Sequence, residues 1–298
     1  MKKSAFLFIC LAGVLWGTSG IFVHYLTPLG LTSIQLSAIR GTVSFTVMAL
    51  YALIFKRSLF KARAKEILLF FFIGLMLFAT ATCYYTAMTL TSVSTAVVLM
   101  YTAPVYVLIF SVLKLGEKIS IPKIAAIAFM LIGCCLVSGL IGGVRFTPLG
   151  LLIGALSGIT YAIYNILTKI AVERGSDAVS VSIYGFLFMT VTAIIFCRPI
   201  GIFEVAAAHP LPAIPLMIGL GICTFVLPYF LYTLSMKHIP AGTASALGII
   251  EPMAATLFSV ILFRETLSVF AVIGIALILI ATVILAICSD GKTKKETL

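Results

Sequence analysis

Charged residues are scarce in this sequence of 298 residues, of which they make up only 10%. Soluble globular domains carry about 25% charged residues, so most of this chain cannot belong to a water-soluble fold. The chain has nine acidic residues and three histidines, and its seven cysteines form no Cys-x-x-Cys pair. These shortages argue against a zinc site, a disulfide framework and the paired acids of a membrane-embedded enzyme.

Two sequence motifs are also missing. The chain contains neither an HExxH metalloprotease motif nor a phosphate-binding loop for ATP, which argues against an enzyme and against an ATP-driven pump. We expect no cofactor and no bound metal. The cysteines all lie in apolar stretches, and we predict that they are small packing residues. They are Cys10, Cys83, Cys134, Cys135, Cys197, Cys223 and Cys288.

Apolar residues make up 62% of the chain, and the mean hydropathy is +1.24. A membrane-spanning helix needs about 20 apolar residues, and turn residues and charges divide the chain into ten such runs. The predicted spans are 5–26, 33–55, 67–89, 94–114, 120–140, 149–170, 178–197, 212–235, 242–263 and 267–288. The first run has no small-x-small cleavage site at its end, so we predict a retained helix and not a signal peptide.

The formal net charge of +11 is distributed in short clusters between the apolar runs. This pattern is typical of membrane orientation, and no basic face indicates nucleic acid as a partner. With the N-terminus in the cytoplasm, the inside segments hold 16 of the 20 Lys and Arg residues and the outside segments hold three. The remaining one, Arg40, lies within a span. The asymmetry predicts ten spans with both termini in the cytoplasm.

The two halves of the chain resemble each other. Residues 95–120 and 243–268 are identical at nine of 26 positions, at an offset of 148 residues. The first spans of the halves agree at an offset of 145, where Trp16 aligns with Tyr161. Five spans per half is an odd number, so the second half must be inverted relative to the first.

The sequence therefore predicts an all-α integral membrane protein with ten transmembrane helices. These form two inverted-topology five-helix repeats, at 1–145 and 146–298. Inverted repeats are typical of secondary transporters, because two equivalent halves can exchange which side of the membrane is open.

Three stretches carry a resemblance to a known family. They are Leu15-Trp16-Gly17 in the first span, Pro104 with Gly116-Glu117 at the end of the fourth, and Glu251-Pro252 with Glu265 in the ninth. In these stretches the chain resembles EamA-type members of the drug/metabolite transporter superfamily, over nearly its whole length. It differs in having Arg264-Glu265 where the pattern has Gly-Glu. The resemblance implies a multi-pass carrier in the bacterial inner membrane, often an exporter of amino acids or related metabolites.

We therefore predict a secondary transporter that exports amino acids or related small organic metabolites by alternating access. Two alternatives within the same superfamily are a multidrug or organic-cation efflux carrier and a lipid-carrier or nucleotide-sugar translocator. Sugar nucleotides need several inward-facing cations for binding, and the scarcity of such cations disfavours the lipid-carrier or nucleotide-sugar translocator. The expected partners are a small-molecule metabolite and the lipid bilayer, and the sequence leaves the oligomeric state open, a homodimer included.

Two charged residues, Arg40 and Glu251, lie well inside predicted spans, where a charge is costly and marks function. Glu251 precedes Pro252, which lacks an N–H and so frees the carbonyl of Gly248. We predict that Glu251 binds a substrate ammonium or accepts a coupling proton, unless it only bonds a neighbouring helix. Arg40 is a candidate to bind a substrate carboxylate, with internal pairing or snorkelling as alternatives. Lys169, near a span end, is expected to snorkel.

Tyrosines combine an apolar face with a polar tip and suit a cavity for amphipathic metabolites, although helix packing is the alternative for each. One face of the sixth span is a candidate lining of the path. It carries Tyr161, Tyr164, Asn165 and Thr168. The predicted substrate-binding residues are Glu251, Arg40, Trp16, Tyr84, Tyr101, Tyr161, Asn165 and Tyr232. The repeat-related Glu117 and Glu265 are predicted to cap the helices that follow them.

Overall fold

The computed structural model describes residues 2–60, 62–90, 93–114, 120–137, 147–263 and 268–290, and this part of the chain is almost entirely helical. The α-helices are α1 (Lys2–Gly17), α2 (Ser19–Leu26), α3 (Ser33–Phe55), α4 (Ala64–Leu90), α5 (Val93–Met100), α6 (Ala103–Lys114), α7 (Ile121–Val137), α8 (Pro148–Glu173), α9 (Ala178–Phe196), α10 (Pro199–Ala208), α11 (Pro210–Gly221), α12 (Leu227–Ser235), α13 (Ala241–Leu247), α14 (Ile250–Phe263) and α15 (Val269–Asp290). Short 3₁₀ helices follow α2 and α3, at Thr27–Leu29 and Arg57–Phe60, and a π-helical turn at Ile222–Val226 joins α11 to α12. The predicted caps Glu117 and Glu265 lie outside the described residues.

All ten predicted spans correspond to helices. In the described part of the chain, seven helices are long and apolar enough to cross a bilayer. The other three spans fall on shorter apolar helices at Val98–Val107, Ile121–Leu136 and Val269–Ile284. The ten-helix, all-α prediction is therefore confirmed. Four of the ten spans are interrupted helices, made of α1 with α2, α5 with α6, α11 with α12, and α13 with α14.

Helix α10 corrects the sequence prediction, which treated about 198–211 as a loop. Pro199 and Pro210 were taken as loop residues, yet both stand at the first turn of a helix, where a missing N–H costs nothing. One face of α10 exposes Phe203, while Ile202 and Val205 pack on an apolar cluster built around Leu26. The segment is therefore a short helix that covers one end of the bundle.

The strongest helix contacts join one half of the chain to the other. Helix α4 packs on α8 and α9. The repeat-related contacts form as well, since α12 packs on α1 and α11 packs on α3. Helix α14 packs on α1, and in the other half α5 and α6 pack on α8. The last helices of the two repeats, α7 and α15, pack on each other. Every such contact recurs when the halves are exchanged, which is the arrangement that inverted repeats require.

Small residues allow these close approaches. A Cβ added to Gly17 of α1 would lie 2.8 Å from the Cβ of Ala254, and one added to Gly158 of α8 would lie 2.7 Å from the Leu99 carbonyl oxygen. Likewise a Cβ on Gly133 of α7 would lie 2.8 Å from a carbonyl of α15. Without side chains in the way, the backbones pack directly, as is common between membrane helices.

The bundle has two chemically different ends. The basic end, defined by Lys56, Arg63, Arg174 and Lys237, is the end at which α3, α8 and α12 terminate. The distal end, defined by Leu26 and Arg198, lies opposite and holds the apolar cluster beneath α10. These two names are used below.

Candidate substrate cavity

Two helix breaks lie at equivalent positions of the two repeats. Pro104 and Pro252, which are 148 residues apart, each stand in the first turn after a break. In the second repeat the Gly248 carbonyl accepts a hydrogen bond from the Glu251 backbone N–H at 3.0 Å. The prediction that Pro252 leaves this carbonyl open was therefore wrong, because a tighter turn satisfies it. In the first repeat the break falls at Tyr101.

The two breaks meet in the centre of the bundle. The Tyr101 hydroxyl donates a hydrogen bond to Oε2 of Glu251 at 2.5 Å. The second carboxylate oxygen, Oε1, has no hydrogen-bond partner among the described residues, and Glu251 borders a cavity. In the first repeat the position equivalent to Glu251 is Ala103. The acid is therefore a feature of one half only, placed at the junction of both.

Arg40 of α3 is buried, with 8% of its surface exposed, and is held by three groups. Its Nη1 donates to the Tyr85 hydroxyl, its Nη2 lies 3.5 Å from the Thr224 carbonyl, and its guanidinium lies 4.4 Å from the centroid of the Phe225 ring. Thr224 lies in the π-helical turn that joins α11 to α12. The alternative of internal pairing is therefore the arrangement observed.

These contacts do not use all of the donors at the site. The Nε of Arg40 and the indole Nε1 of Trp16 are both buried and have no hydrogen-bond partner within the described structure. A buried donor without a partner costs about 1–3 kcal/mol. Such a cost is expected where a ligand normally supplies the acceptor.

A cavity of about 350 Å³ lies between α1, α3, α4 and α14. It runs from Tyr161 in the middle of the bundle to His24 near the distal end. Its walls are mostly aromatic and apolar, and Arg40 and Glu251 both border it. The described contacts include no ion pair between these two charges. The cavity thus offers one cationic and one anionic group in apolar surroundings.

Towards the basic end, packed side chains close the cavity. Trp16 contacts the Tyr232 ring at a centroid distance of 5.3 Å, and the Tyr232 hydroxyl donates to Asn165 Oδ1. One turn further along α8, the Lys169 Nζ donates to the Met236 carbonyl at 2.8 Å. We call these residues the basic-end seal. The prediction that Lys169 snorkels was wrong, because its ammonium is buried against the end of α12.

Six of the eight predicted binding residues border this one cavity. They are Glu251, Arg40, Trp16, Tyr84, Tyr101 and Tyr161. Asn165 and Tyr232 lie beyond its floor and bond each other. Sequence reasoning missed Phe225 and the role of the Thr224 carbonyl.

Comparisons with known proteins agree with this architecture. A sequence profile of the EamA-like transporter family matches residues 3–139 and again residues 148–287. An uncharacterized transporter of Archaeoglobus fulgidus is 31% identical over 207 residues, covering 70% of this chain and 72% of that protein. The uncharacterized transporter YwfM of Bacillus subtilis is 24% identical over 296 residues, covering 98% and 95%.

A solved crystal structure has the same fold, with a TM-score of 0.78 at 20% sequence identity. The similarity covers 97% of this chain and 99% of that one, and it concerns the fold alone. The two profile matches cover most of the sequence, one in each half. The chain is a multi-pass membrane transporter that belongs to the EamA-like transporter family.

Proposed function

We propose that this transporter carries zwitterionic amino acids or closely related metabolites and exports them by alternating access. One observation supports this substrate class above all. Arg40 and Glu251 border the same cavity, form no ion pair with each other in the described structure, and each keep one polar group without a partner. Two opposite charges held apart in apolar surroundings suit a ligand that carries both charges itself.

Glu251 is the group for the substrate ammonium. Its Oε2 is occupied by the Tyr101 hydroxyl, which fixes the carboxyl plane and leaves Oε1 for a ligand. The rings of Tyr84 and Tyr161 border the same space. Aromatic faces attract cations, by about 2 kcal/mol when water is excluded, and so add to the attraction of the carboxylate.

Arg40 and Trp16 are the groups for the substrate carboxylate. Phe225 and Tyr85 fix the position of the guanidinium. The unpartnered Nε of Arg40 and Nε1 of Trp16 are donors that a carboxylate can satisfy. A hydrogen bond to a charged group contributes about 1.5–3 kcal/mol, so each bond of this kind would add to the binding of a carboxylate.

The size of the cavity favours a small ligand. Its volume of about 350 Å³ is near the lower limit of ordinary small-molecule sites, which span about 300–1,000 Å³. The apolar and aromatic walls suit the side chain of an amino acid. A nucleotide sugar would need more space and more cations than Arg40 provides.

For the transport cycle, we propose that the repeats 1–145 and 146–298 exchange their equivalent packing arrangements about the central breaks. In this structure the cavity reaches towards the distal end, and the seal around Asn165 and Lys169 closes the basic end. Exchange of the two equivalent halves would open the basic end and close the distal one. The concentration of Lys and Arg supports a cytoplasmic location for the basic end and for both termini. Export, as the direction, rests on the family resemblance.

The test is a counterflow assay in proteoliposomes that compares one amino acid with its blocked forms. We expect exchange of the free amino acid, and at least tenfold slower exchange of its N-acetyl form and of its methyl ester. Arg40→Lys keeps the charge but removes the planar fork, so it should selectively weaken recognition of the carboxylate. It should therefore reduce the rate difference between the amino acid and its ester.

The second candidate, an organic-cation efflux carrier, is favoured by the aromatic walls around Glu251 and by the internal partners of Arg40. It predicts that the methyl ester, which has an ammonium but no carboxylate, exchanges as fast as the free amino acid. That result would overturn the zwitterion assignment. The assay is repeated with each of the common amino acids, and slow exchange of all of them would overturn the substrate class altogether.

A further inference from the structure

A second cavity, of about 340 Å³, lies at the basic end and is separate from the substrate cavity. Its walls are the segment between α3 and α4 and the turn between α8 and α9. The floor is polar, where the Ser180 hydroxyl donates to the Leu59 carbonyl at 2.9 Å. We call this space the basic-end cleft. It lies between the two halves of the chain, at the predicted membrane–water boundary.

The acidic residues of the cleft already have partners. Glu66 accepts the Arg63 backbone N–H at 2.7 Å through one oxygen and the Ser176 hydroxyl at 3.0 Å through the other. Asp177 caps α9 by accepting the Val179 N–H at 2.9 Å. Both carboxylates therefore help to build the cleft, and with Lys56, Arg63 and Arg174 they leave it a net charge of +1.

The cations of the cleft are less committed. Lys56 lies 3.7 Å from Asp177, in a pair whose side chains are 59% and 40% exposed, so the pair contributes little. The guanidinium groups of Arg63 and Arg174 make no hydrogen bond or close salt bridge with other described residues, although the charge of Arg63 also acts on the Glu66 carboxylate. Three cationic side chains thus border one cavity, two of them with all of their side-chain donors unused.

Lipid-facing surface adjoins the cleft on both sides. Ile54 and Phe55, which directly precede Lys56, are each 72% exposed, and Leu68, just after Glu66, is 62% exposed. Exposed apolar residues on a spanning helix face acyl chains. A molecule with a phosphate in the cleft and acyl chains along α3 and α4 would match both surfaces. A soluble anion would contact only the cleft and not the lipid-facing surface.

We propose that the basic-end cleft binds the phosphate group of an anionic phospholipid, with Arg63 and Arg174 as its principal ligands. Guanidinium groups bind phosphate oxygens through paired N–H donors, and basic pockets between membrane helices on the cytoplasmic side are suited to anionic headgroups. Because the cleft joins the segment after α3 to the turn after α8, a bound headgroup would tie the two halves together at this end.

The experiment measures lipid binding to the full-length protein in detergent by native mass spectrometry, with phosphatidylglycerol and phosphatidylcholine added in equal amounts. The test variant is Arg63→Gln/Arg174→Gln. The matched control is Arg57→Gln/Lys237→Gln, which also removes two positive charges from the basic end but none from the cleft. Size-exclusion profiles in the same detergent check that both variants are folded, and each single cleft variant is measured as well.

We expect the wild-type protein to prefer phosphatidylglycerol, and the cleft variant to lose about 30-fold in affinity for it, from the attraction of two basic residues to an anionic headgroup. The control should stay within about twofold of wild type. Equal losses in the two double variants, or no preference for phosphatidylglycerol in the wild type, would overturn the proposal. Inorganic phosphate alone is tested for thermal stabilisation. If it stabilises the wild type through these arginines and phosphatidylglycerol does not bind, a soluble anion is the ligand and the lipid assignment is wrong.

Discussion

Replacing Lys169 by methionine tests the basic-end seal. The Nζ of Lys169 donates to the Met236 carbonyl at 2.8 Å and lies 3.4 Å from the Ile239 carbonyl, both beyond the last turn of α12. It also pairs with Glu173 of its own helix at 3.2 Å. Methionine keeps a long apolar side chain but has no donor, so the substitution removes the polar contacts and retains most of the packing.

The expected destabilisation follows from these contacts. A hydrogen bond to a charged group contributes about 1.5–3 kcal/mol, and the longer contact to Ile239 adds little. The pair with Glu173, whose side chain is 48% exposed, contributes only about 0.3–0.5 kcal/mol. We therefore expect a loss of about 2 kcal/mol. For a chain of this size, with an unfolding entropy of about 2.1 cal/mol/K per residue, that corresponds to a thermal midpoint lower by about 3 °C.

The assay is thermal unfolding in detergent, followed by the fluorescence of a thiol-reactive dye. The matched control is Lys237→Met, which removes an exposed cation at the same end of the bundle and should shift the midpoint by less than about 1 °C. If the two variants unfold at the same temperature, Lys169 does not bind the end of α12, and the seal as described is wrong.

Two further substitutions test the cavity and the packing beside it. Glu251→Gln should slow amino-acid counterflow at least tenfold, because the ammonium loses its charged partner, and should abolish any stimulation by a pH gradient. The control is Glu204→Gln, at an exposed position of α10, and an unchanged rate for Glu251→Gln would exclude both roles. Gly158→Ala should lower the thermal midpoint, because its Cβ would lie 2.7 Å from the Leu99 carbonyl, at a cost of about 1–3 kcal/mol. The control is Gly20→Ala, which has open space around the added Cβ and should leave stability unchanged or raise it by about 1 kcal/mol. Equal thermal midpoints for Gly158→Ala and Gly20→Ala would contradict the close packing of α8 at Gly158.

The spans could be predicted because lipid imposes a simple rule of length and polarity on each helix. The rule works for continuous apolar runs but cannot show where such a run changes its helical geometry. The break before Pro252 was visible, since proline removes a hydrogen bond, whereas the π-helical turn at Ile222–Val226 was not. Helix α10 was missed for the opposite reason, because Pro199 and Pro210 begin helices as readily as they end them.

The site was partly visible because buried charge is rare in a membrane. Arg40 and Glu251 were found by depth alone, and both border the cavity. What the sequence could not provide was the partner of each group across the repeat interface. Tyr101 reaches Glu251 from 150 residues away, and Arg40 lies beside the Thr224 carbonyl, 184 residues along the chain. Such partners depend on how helices of opposite halves pack, which periodicity within one helix does not encode.

The central claim is that one cavity, bordered by Arg40 and Glu251, opens alternately to the two ends of the bundle. The most direct test measures the alkylation rates of Gly20→Cys, at the distal mouth of the cavity, and Thr168→Cys, behind the seal, each in a variant without the seven native cysteines. Without substrate, we predict fast labelling at residue 20 and protection at residue 168; a transported amino acid should slow the first rate and raise the second. Rates that do not respond to substrate, or faster labelling at residue 168 in its absence, would contradict the account.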